Sequence, residues 1–360
     1  MPQLQDFDAR AKAASESHAF ASYLTAKQAV FSMLDQMSDD GDDPSDYWSA
    51  EVKGVEYLLD ASPILIETFR AHSYHLTGLQ DYDYRGHHSH RMPLFQTKYE
   101  ALAALDPWGL FVPEDARLGG FGHELEAGLT NLDTLKFYEV LIGLKMAGMI
   151  PAPTESDLAP DRVLEIGGGW GGFAYQYKTL YPNTKYVIID LPQTLLFSST
   201  YLLSLFPDAS FQFASNAEEL AEVASKDLPD FTFIPHYLTE DIGQLNIDLA
   251  INMVSFQEMT TEQVSQYGRV LRDSGCANLY SLNREQSPYN PQLTGVIDVL
   301  SRYYPMKRQS ILPIQYTELV FPRKALGPMA LATNLVAGNR RRALGQIRRP
   351  LLDLLGGKIP

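Results

Sequence analysis

The stretch Val163-Leu-Glu-Ile-Gly-Gly-Gly-Trp-Gly-Gly172 constrains this chain more than any other. An apolar run of strand character passes straight into five glycines, then into Phe173, Tyr177 and Leu180 at helical spacing, and Pro182 closes the helix. Glycine lets backbone pass tightly under a ligand, and the first N–H groups of the following helix face the same crevice. Strand, glycine loop and helix in this order belong to open parallel α/β sheets, which bind ligands at the carboxyl ends of their strands. The rest of the chain must then alternate strands with helices. It does so from Asp161 onward, with short, mainly apolar runs predicted as strands at 162–166, 186–190, 247–252 and 277–282 and helices at 171–181 and 192–206. Strands of that kind are covered on both faces. Past Pro291 a helix is expected to end near Tyr304, followed by a terminal hairpin over 309–314 and 316–321.

Upstream the texture differs. Residues up to about 125 are rich in aromatic residues, His and Asp, with helical patches at 20–37 and 55–69 broken by the acidic linker 39–46, so an irregular, mostly helical cap is expected. Thr130 with Asp133 reads as a capping box opening a helix over 131–149, ended by Pro151. Domains are thus expected at 1–125 (cap, for substrate or oligomer contacts), 126–325 (the α/β domain) and 326–360 (a basic amphipathic tail).

At 360 residues, 45% hydrophobic and 20% charged, disordered, collagen-like and disulfide-scaffold classes are excluded. The lone Cys276 supplies neither an intramolecular disulfide nor a multi-thiolate metal site. The polar start MPQLQDFDARAKAASE and the want of any run near 20 apolar residues predict a cytoplasmic chain with no transmembrane segment. The net charge of −15 is uneven, because residues 301–360 hold eleven Lys or Arg against Glu318 and Asp353. That local +9 leaves −24 for residues 1–300, which argues against nucleic acid as a partner. Arg340, Arg341, Arg342, Arg348 and Arg349, interleaved with leucines, are expected to pack on the acidic body of the same or a neighbouring subunit of a homo-oligomer. Peripheral contact with an anionic membrane is the alternative.

Gly167, Gly169 and Gly172 satisfy GxGxxG, and Asp190 follows Gly169 by 21 residues at the end of the next strand. A carboxylate there can accept hydrogen bonds from a ribose of NAD or of S-adenosylmethionine, so the spacing leaves both open. Taken singly, the glycines could serve close helix-on-strand packing and Asp190 could cap a helix before Pro192. Together, their order favours a ligand loop.

Glu165 tips the choice, since the first strand of a dinucleotide fold is normally apolar to its end. EIGGGWGG at 165–172 resembles the cofactor loop of class I S-adenosylmethionine-dependent methyltransferases, where an acid opens the loop and helps hold the cationic end of the cofactor. VIIDLP at 187–192 resembles the ribose-binding strand end of small-molecule O-methyltransferases, and NMVSFQEM at 252–259 the fourth-strand motif of a sugar O-methyltransferase family. FGHELEAGLTNLDTLKFYEVL at 121–141 is similar to the helix that precedes the fold in that family. The resemblance covers roughly residues 120–285. It implies an α/β, Rossmann-like doubly wound sheet and S-adenosyl-L-methionine as cofactor, held by Glu165, Gly167, Gly168, Gly169, Gly172, Asp190, Leu191 and Asn252. His236, in the apolar run FTFIPHYL, is expected on the adenine side.

The implied reaction is O-methylation of a sugar or glycan hydroxyl by in-line displacement, in which most catalysis is alignment. An alcohol is barely acidic, so a base should add about 10² to 10⁴ in rate. Glu258, on the loop after the fourth strand, is the first candidate, flanked by Ser255 and Gln257 as substrate contacts with Tyr138. Its blander reading is an anchor for the helix at 260–267. His123 is the second candidate. His87, His88 and His90 read as a solvated turn near Gly86 rather than a metal or substrate loop. No metal is expected, because Asn252 stands where a metal-binding acid would end the fourth strand. A nicotinamide-dependent oxidoreductase and a non-catalytic partner protein retaining the fold are the alternatives.

Overall fold

A computed structural model describes residues 6–37, 44–284, 290, 292, 295–309, 311–312 and 332–337. A two-stranded hairpin, β1 (His123–Leu125) and β2 (Gly128–Thr130), precedes the main sheet. That sheet holds β3 (Arg162–Ile166), β4 (Lys185–Asp190), β5 (Phe211–Phe213), β6 (Phe231–Pro235), β7 (Leu249–Met253), β8 (Asn278–Arg284), β9 (Lys307–Gln309) and β10 (Ala332–Ala337). Their order is β5-β6-β4-β3-β7-β8-β10-β9, and β10 pairs antiparallel with both neighbours while the rest pair in parallel. The chain winds outward from β3 through β4 and β6, then returns to β7 on the other side. A topological switch point therefore lies between β3 and β7.

Alternate strand residues feed opposite faces. Val163, Ile188, Phe233 and Ile251 enter one core with the helices Leu132–Met146, Gly172–Leu180 and Pro192–Leu205. Leu164, Ile189, Ile234 and Ala250 enter a second core, closed by the helices Ala217–Ala224, Thr261–Asp273 and Val296–Leu300. The expected α/β doubly wound class is the observed one. The sequence left β1, β2, β5, β6 and β10 unplaced, β6 being apolar but read as a cleft segment and β5 a three-residue edge, and β9 lies at 307–309 where a strand was expected over 309–314.

The N-terminal region has no core of its own. Its longest helix, His18–Gln36, is capped by Ser17 Oγ, which accepts from Phe20 N at 3.1 Å. It turns Tyr23, Ala26, Val30 and Met33 onto the helix Pro192–Leu205 and joins the first core. The patch expected at 55–69 is several short turns, since Pro63, which donates no hydrogen bond, starts a new helix at Pro63–Ile66.

A buried ionic cluster ties this region to the sheet. Arg70 is 1% exposed, with its guanidinium 3.6 Å from the Trp170 ring centroid and 4.5 Å from that of Phe121. It donates to Glu114 Oε1 (2.8 Å), Ser73 Oγ (2.6 Å) and Asp133 Oδ2 (3.2 Å). Asp133 also accepts from Trp170 Nε1 at 2.9 Å and Lys136 Nζ at 3.0 Å. Burial works to raise Asp133, but Lys136 and Arg70 hold it below the usual carboxylate range, whereas burial dominates at Glu114 and lifts it to about 7.

That cluster corrects the expected cap. Asp133 is drawn inward, and the capping box is Asn131 with Thr134: Asn131 Oδ1 accepts from Thr134 N at 3.0 Å and Thr134 Oγ1 from Asn131 N at 2.8 Å. The helix expected over 131–149 is Leu132–Met146, and the part of 121–141 ahead of it, likened to the helix that precedes the fold, is the β1–β2 hairpin. At the other end, β10 carries the sheet beyond the boundary expected at residue 325. The run 316–321 and the arginines of the tail lie outside the described residues.

Candidate functional site

A cavity of about 440 Å³ opens at the switch point. Its floor comes from the carboxyl ends of four parallel strands: Glu165 and Gly167–Trp170 after β3, Ile189–Leu191 and Thr194 after β4, His236 after β6, and Met253–Ser255 with Glu258 after β7. Its roof comes from the cap, with Ser45, Tyr47, Trp48, Glu51, Tyr74 and His75. Lys136, from the helix Leu132–Met146, joins the two and is the one Lys or Arg among the described lining residues.

The glycine loop is shaped from both sides. Gly167 has φ +74°, and a Cβ there would meet Ser255 Oγ at 2.2 Å, so the loops after β3 and β7 touch at this glycine. Gly169 also has positive φ (+56°), but nothing lies within 4 Å of where its Cβ would stand. That open space is the cradle a ligand backbone would fill. Asp190 holds the loop in place: Oδ2 accepts from Gly169 N at 2.9 Å and Oδ1 from Leu191 N at 2.8 Å. Since the helix Pro192–Leu205 has no side-chain cap bond, Asp190 is not its cap. Burial lifts Asp190 to about 7, against the pull of those two N–H donors.

Glu165, 1% exposed, ends β3 with its carboxylate on the cavity and accepts from Tyr186 Oη at 3.0 Å. Burial first, then the neighbouring Asp190, raises it to about 8 against Tyr186 and Lys136. Thr194 Oγ1, buried beside the same wall, has no hydrogen-bond partner. Buried acids, an open backbone cradle and an orphaned hydroxyl in one wall suit a ligand with cationic and hydroxyl groups.

The loop after β7 is held from behind. Asn252 donates to Ile166 O at 2.9 Å, and its Oδ1 accepts from Phe256 N (3.1 Å) and Asn283 Nδ2 (2.7 Å). Gln257 N donates to Asn283 Oδ1 at 3.1 Å, and Gln257 Oε1 accepts from Arg284 N at 2.9 Å. Val254 sits at φ 62°, a strained conformation for a β-branched residue, where the loop turns into the cavity. The result presents Glu258 to the cavity under the cap, with Ser45 Oγ donating to its backbone carbonyl at 2.6 Å. Burial lifts the Glu258 carboxyl to about 8, opposed by hydrogen bonds from Gln257 and Trp48. The next helix is capped by Thr260 with Gln263, so Glu258 has no capping duty.

The structure therefore gathers Glu165, Gly167, Gly168, Gly169, Asp190, Leu191, His236, Ser255 and Glu258 around one cavity. The other expected residues stand behind or away from it. Asn252 and Gln257 brace the β7 loop as described, and Gly172 packs under the Trp170 ring, 2.1 Å from where its Cβ would lie. Tyr138 is buried and donates to Asp106 Oδ2 at 2.8 Å. His123, on β1, is buried between the Tyr84 and Phe95 rings, and burial lowers its pKa. His87, His88 and His90 stand on the turn Gly86–Arg91, outside the cavity, and no group of three His, Cys, Asp or Glu among the described residues is placed to hold a metal ion. Sequence reasoning missed Lys136, Thr194 and all of the cap residues on the roof.

Parallel strands wound from a central switch point, with one antiparallel strand set beside the far edge, make this the Rossmann-like fold of the class I methyltransferases. No protein-family profile matches the sequence, and no curated protein matches it. Among solved structures, the chain is similar to human N-acetylserotonin methyltransferase in complex with SAM (14% identity, 94% of this chain and 100% of that one, TM-score 0.31). It is also similar to a provisionally assigned O-methyltransferase from Nostoc punctiforme (14%, 69% and 70%, 0.29) and an O-methyltransferase family protein from Burkholderia thailandensis (12%, 57% and 59%, 0.31). Likenesses this distant carry no activity or substrate to this chain. No helix among the described residues is long and apolar enough to cross a membrane.

Proposed function

We propose that this chain is an S-adenosylmethionine-dependent O-methyltransferase acting on a sugar or glycan hydroxyl. The observation that carries the reading is the single cavity with Glu165, the open cradle at Gly169 and Asp190 on one wall and Glu258 on the facing loop. Bound there, S-adenosylmethionine supplies an electrophilic methyl group for in-line displacement. Glu165 would hold the ammonium of its methionine end, Lys136 the carboxylate, and Asp190 the ribose hydroxyls. Leu191, Thr194 and His236 would line the adenine.

Glu258 takes the proton of the acceptor hydroxyl. A carboxyl raised to about 8 is a far stronger base than an ordinary carboxylate, and a cation brought beside it favours its ionised form. Ser255 orients the hydroxyl, and the aromatic roof supplies faces on which a sugar ring stacks. The cap at 1–125 thereby serves as the acceptor region of the α/β domain. The charge asymmetry supports a homo-oligomer in which the basic tail sequence answers the acidic body, and the polar start of the sequence supports a cytoplasmic location.

Glu258→Gln keeps size and hydrogen bonding but removes basicity. Adenosylhomocysteine affinity should hold while release of adenosylhomocysteine with a panel of sugar acceptors falls about 10²-fold or more. His123→Ala should leave that rate near wild type. Loss of turnover in His123→Ala with the fold intact, and none in Glu258→Gln, would move the base to the cap side.

A further inference from the structure

We infer that the acceptor carries a protonated amine near its reacting hydroxyl, as an amino sugar does, and is not a phosphorylated or uronic sugar. The inference rests on the methyltransferase reading above and adds the charge of the acceptor to it. Glu51, Glu165, Asp190 and Glu258 meet Lys136 as the one Lys or Arg among the described lining residues, with Arg284 acting on Glu258 from outside the lining. The lining is thus short of positive charge, and burial keeps Glu165, Asp190 and Glu258 partly protonated, raised to about 8, 7 and 8. The sulfonium and ammonium of the cofactor outnumber its carboxylate by one, so the cofactor answers at most one of these acids. A phosphate or carboxylate entering the remaining space meets repulsion at short range and low dielectric, whereas an ammonium relieves it.

The roof is built for the same charge. The Tyr47 and Trp48 rings stand edge to face, 5.6 Å apart at 86°, and Tyr74 leaves 40% of its surface exposed at the cavity. Aromatic faces beside a carboxylate attract a cation through both the ring quadrupole and the acid. Glu51 is that carboxylate, half-buried, with His75 Nδ1 at 3.5 Å as its ion-pair partner among the described residues. Lys136 is not free to answer an anionic acceptor, because its Nζ is 3.0 Å from buried Asp133 and its outward side is taken by the cofactor's carboxylate in the reading above. The cap thus selects for positive charge on the side away from Glu165, and an ammonium seated there also favours the ionised form of Glu258 that accepts the hydroxyl proton.

Three probes share a ring and differ in charge: glucosamine, N-acetylglucosamine and glucose 6-phosphate. They are titrated calorimetrically at pH 7, where most of the amine is still protonated and the lining acids begin to ionise, into the full chain saturated with adenosylhomocysteine. Glucosamine should bind at least about tenfold more tightly than N-acetylglucosamine, a ratio one partly buried charge pair readily supplies, and the phosphate should give no saturable heat. Glu51→Gln, still saturable with adenosylhomocysteine, should cut the glucosamine advantage to about threefold or less. Equal or tighter binding of either other sugar, or no saturable heat with glucosamine, overturns the inference while leaving the methyltransferase reading intact. Failure of adenosylhomocysteine itself to bind removes that reading, and the inference with it.

Discussion

The floor and the roof of the cavity are made by different means. The floor is four strand ends in a sheet buried on both faces, and its carboxylates are pinned by backbone N–H groups or a buried tyrosine. The roof is the short helices Asp46–Glu51 and Tyr74–Thr77 among 3₁₀ turns, with partly exposed aromatic rings and one long ion pair. A wall of the first kind is preorganised and tolerates little change. One of the second kind can be rebuilt without disturbing the sheet, so under the proposed function cofactor and acceptor recognition are separable, and the cluster around Arg70 joins the two walls.

The most disruptive way to break this division is Arg70→Met. Removing one partner of a buried, hydrogen-bonded ionic group leaves Glu114 without its cation and Asp133 with Lys136 in place of two cations, at a cost of about 3–5 kcal/mol. A lowered thermal midpoint should come with loosening of both the cap and the Trp170 loop, read by amide hydrogen exchange. Exchange confined to the cap would mean that the two walls are not joined there. Gly169→Val should act on the floor alone: positive φ imposes strain of about 1–3 kcal/mol on a branched residue, and its side chain enters the open cradle. Adenosylhomocysteine affinity should fall with little effect on sugar binding to the roof.

The pH dependence separates the walls more gently. Glu165, Asp190 and Glu258 titrate in the folded chain near 8, 7 and 8, well above their unfolded values. Their contribution to ligand-free stability is therefore fully present below about pH 4 and is lost as pH rises through about 7 to 8. A ligand whose ammonium and ribose prefer the ionised acids binds with release of protons. Adenosylhomocysteine affinity should accordingly rise by up to about tenfold per unit between pH 6 and 7, and Asp190→Ala should flatten the slope. Smallest of all, Val254→Gly should relieve strain and raise stability by about 1 kcal/mol while loosening the loop that presents Glu258. No gain in midpoint would mean that the strain is absorbed elsewhere.

The same division decides what the sequence reveals. Strands β3, β4, β7 and β8 are mainly apolar runs next to clear turn residues, and the glycine loop announces itself, so most of the floor is legible. Strand β6 has the same composition but ends in Pro235-His236, which disguises it as a loop. The roof leaves no trace, because Tyr47, Trp48, Glu51, Tyr74 and His75 sit on segments too short to show a period. Asn252 and Gln257 illustrate a second limit: polar residues beside a motif read as ligand contacts, when their hydrogen bonds are spent on the loop that carries Glu258. Lys136 lay within a helix whose apolar spacing drew attention to its other face.

The central claim is that the floor holds S-adenosylmethionine through Asp190 and the glycine loop, and calorimetric titration of adenosylhomocysteine into wild-type and Asp190→Ala chains tests it most directly. A charge-assisted hydrogen bond of about 1.5–3 kcal/mol predicts one site per chain, with affinity roughly ten- to a hundredfold weaker in the variant. Unchanged affinity in Asp190→Ala, or a wild-type chain that binds NADH and not adenosylhomocysteine, would contradict it.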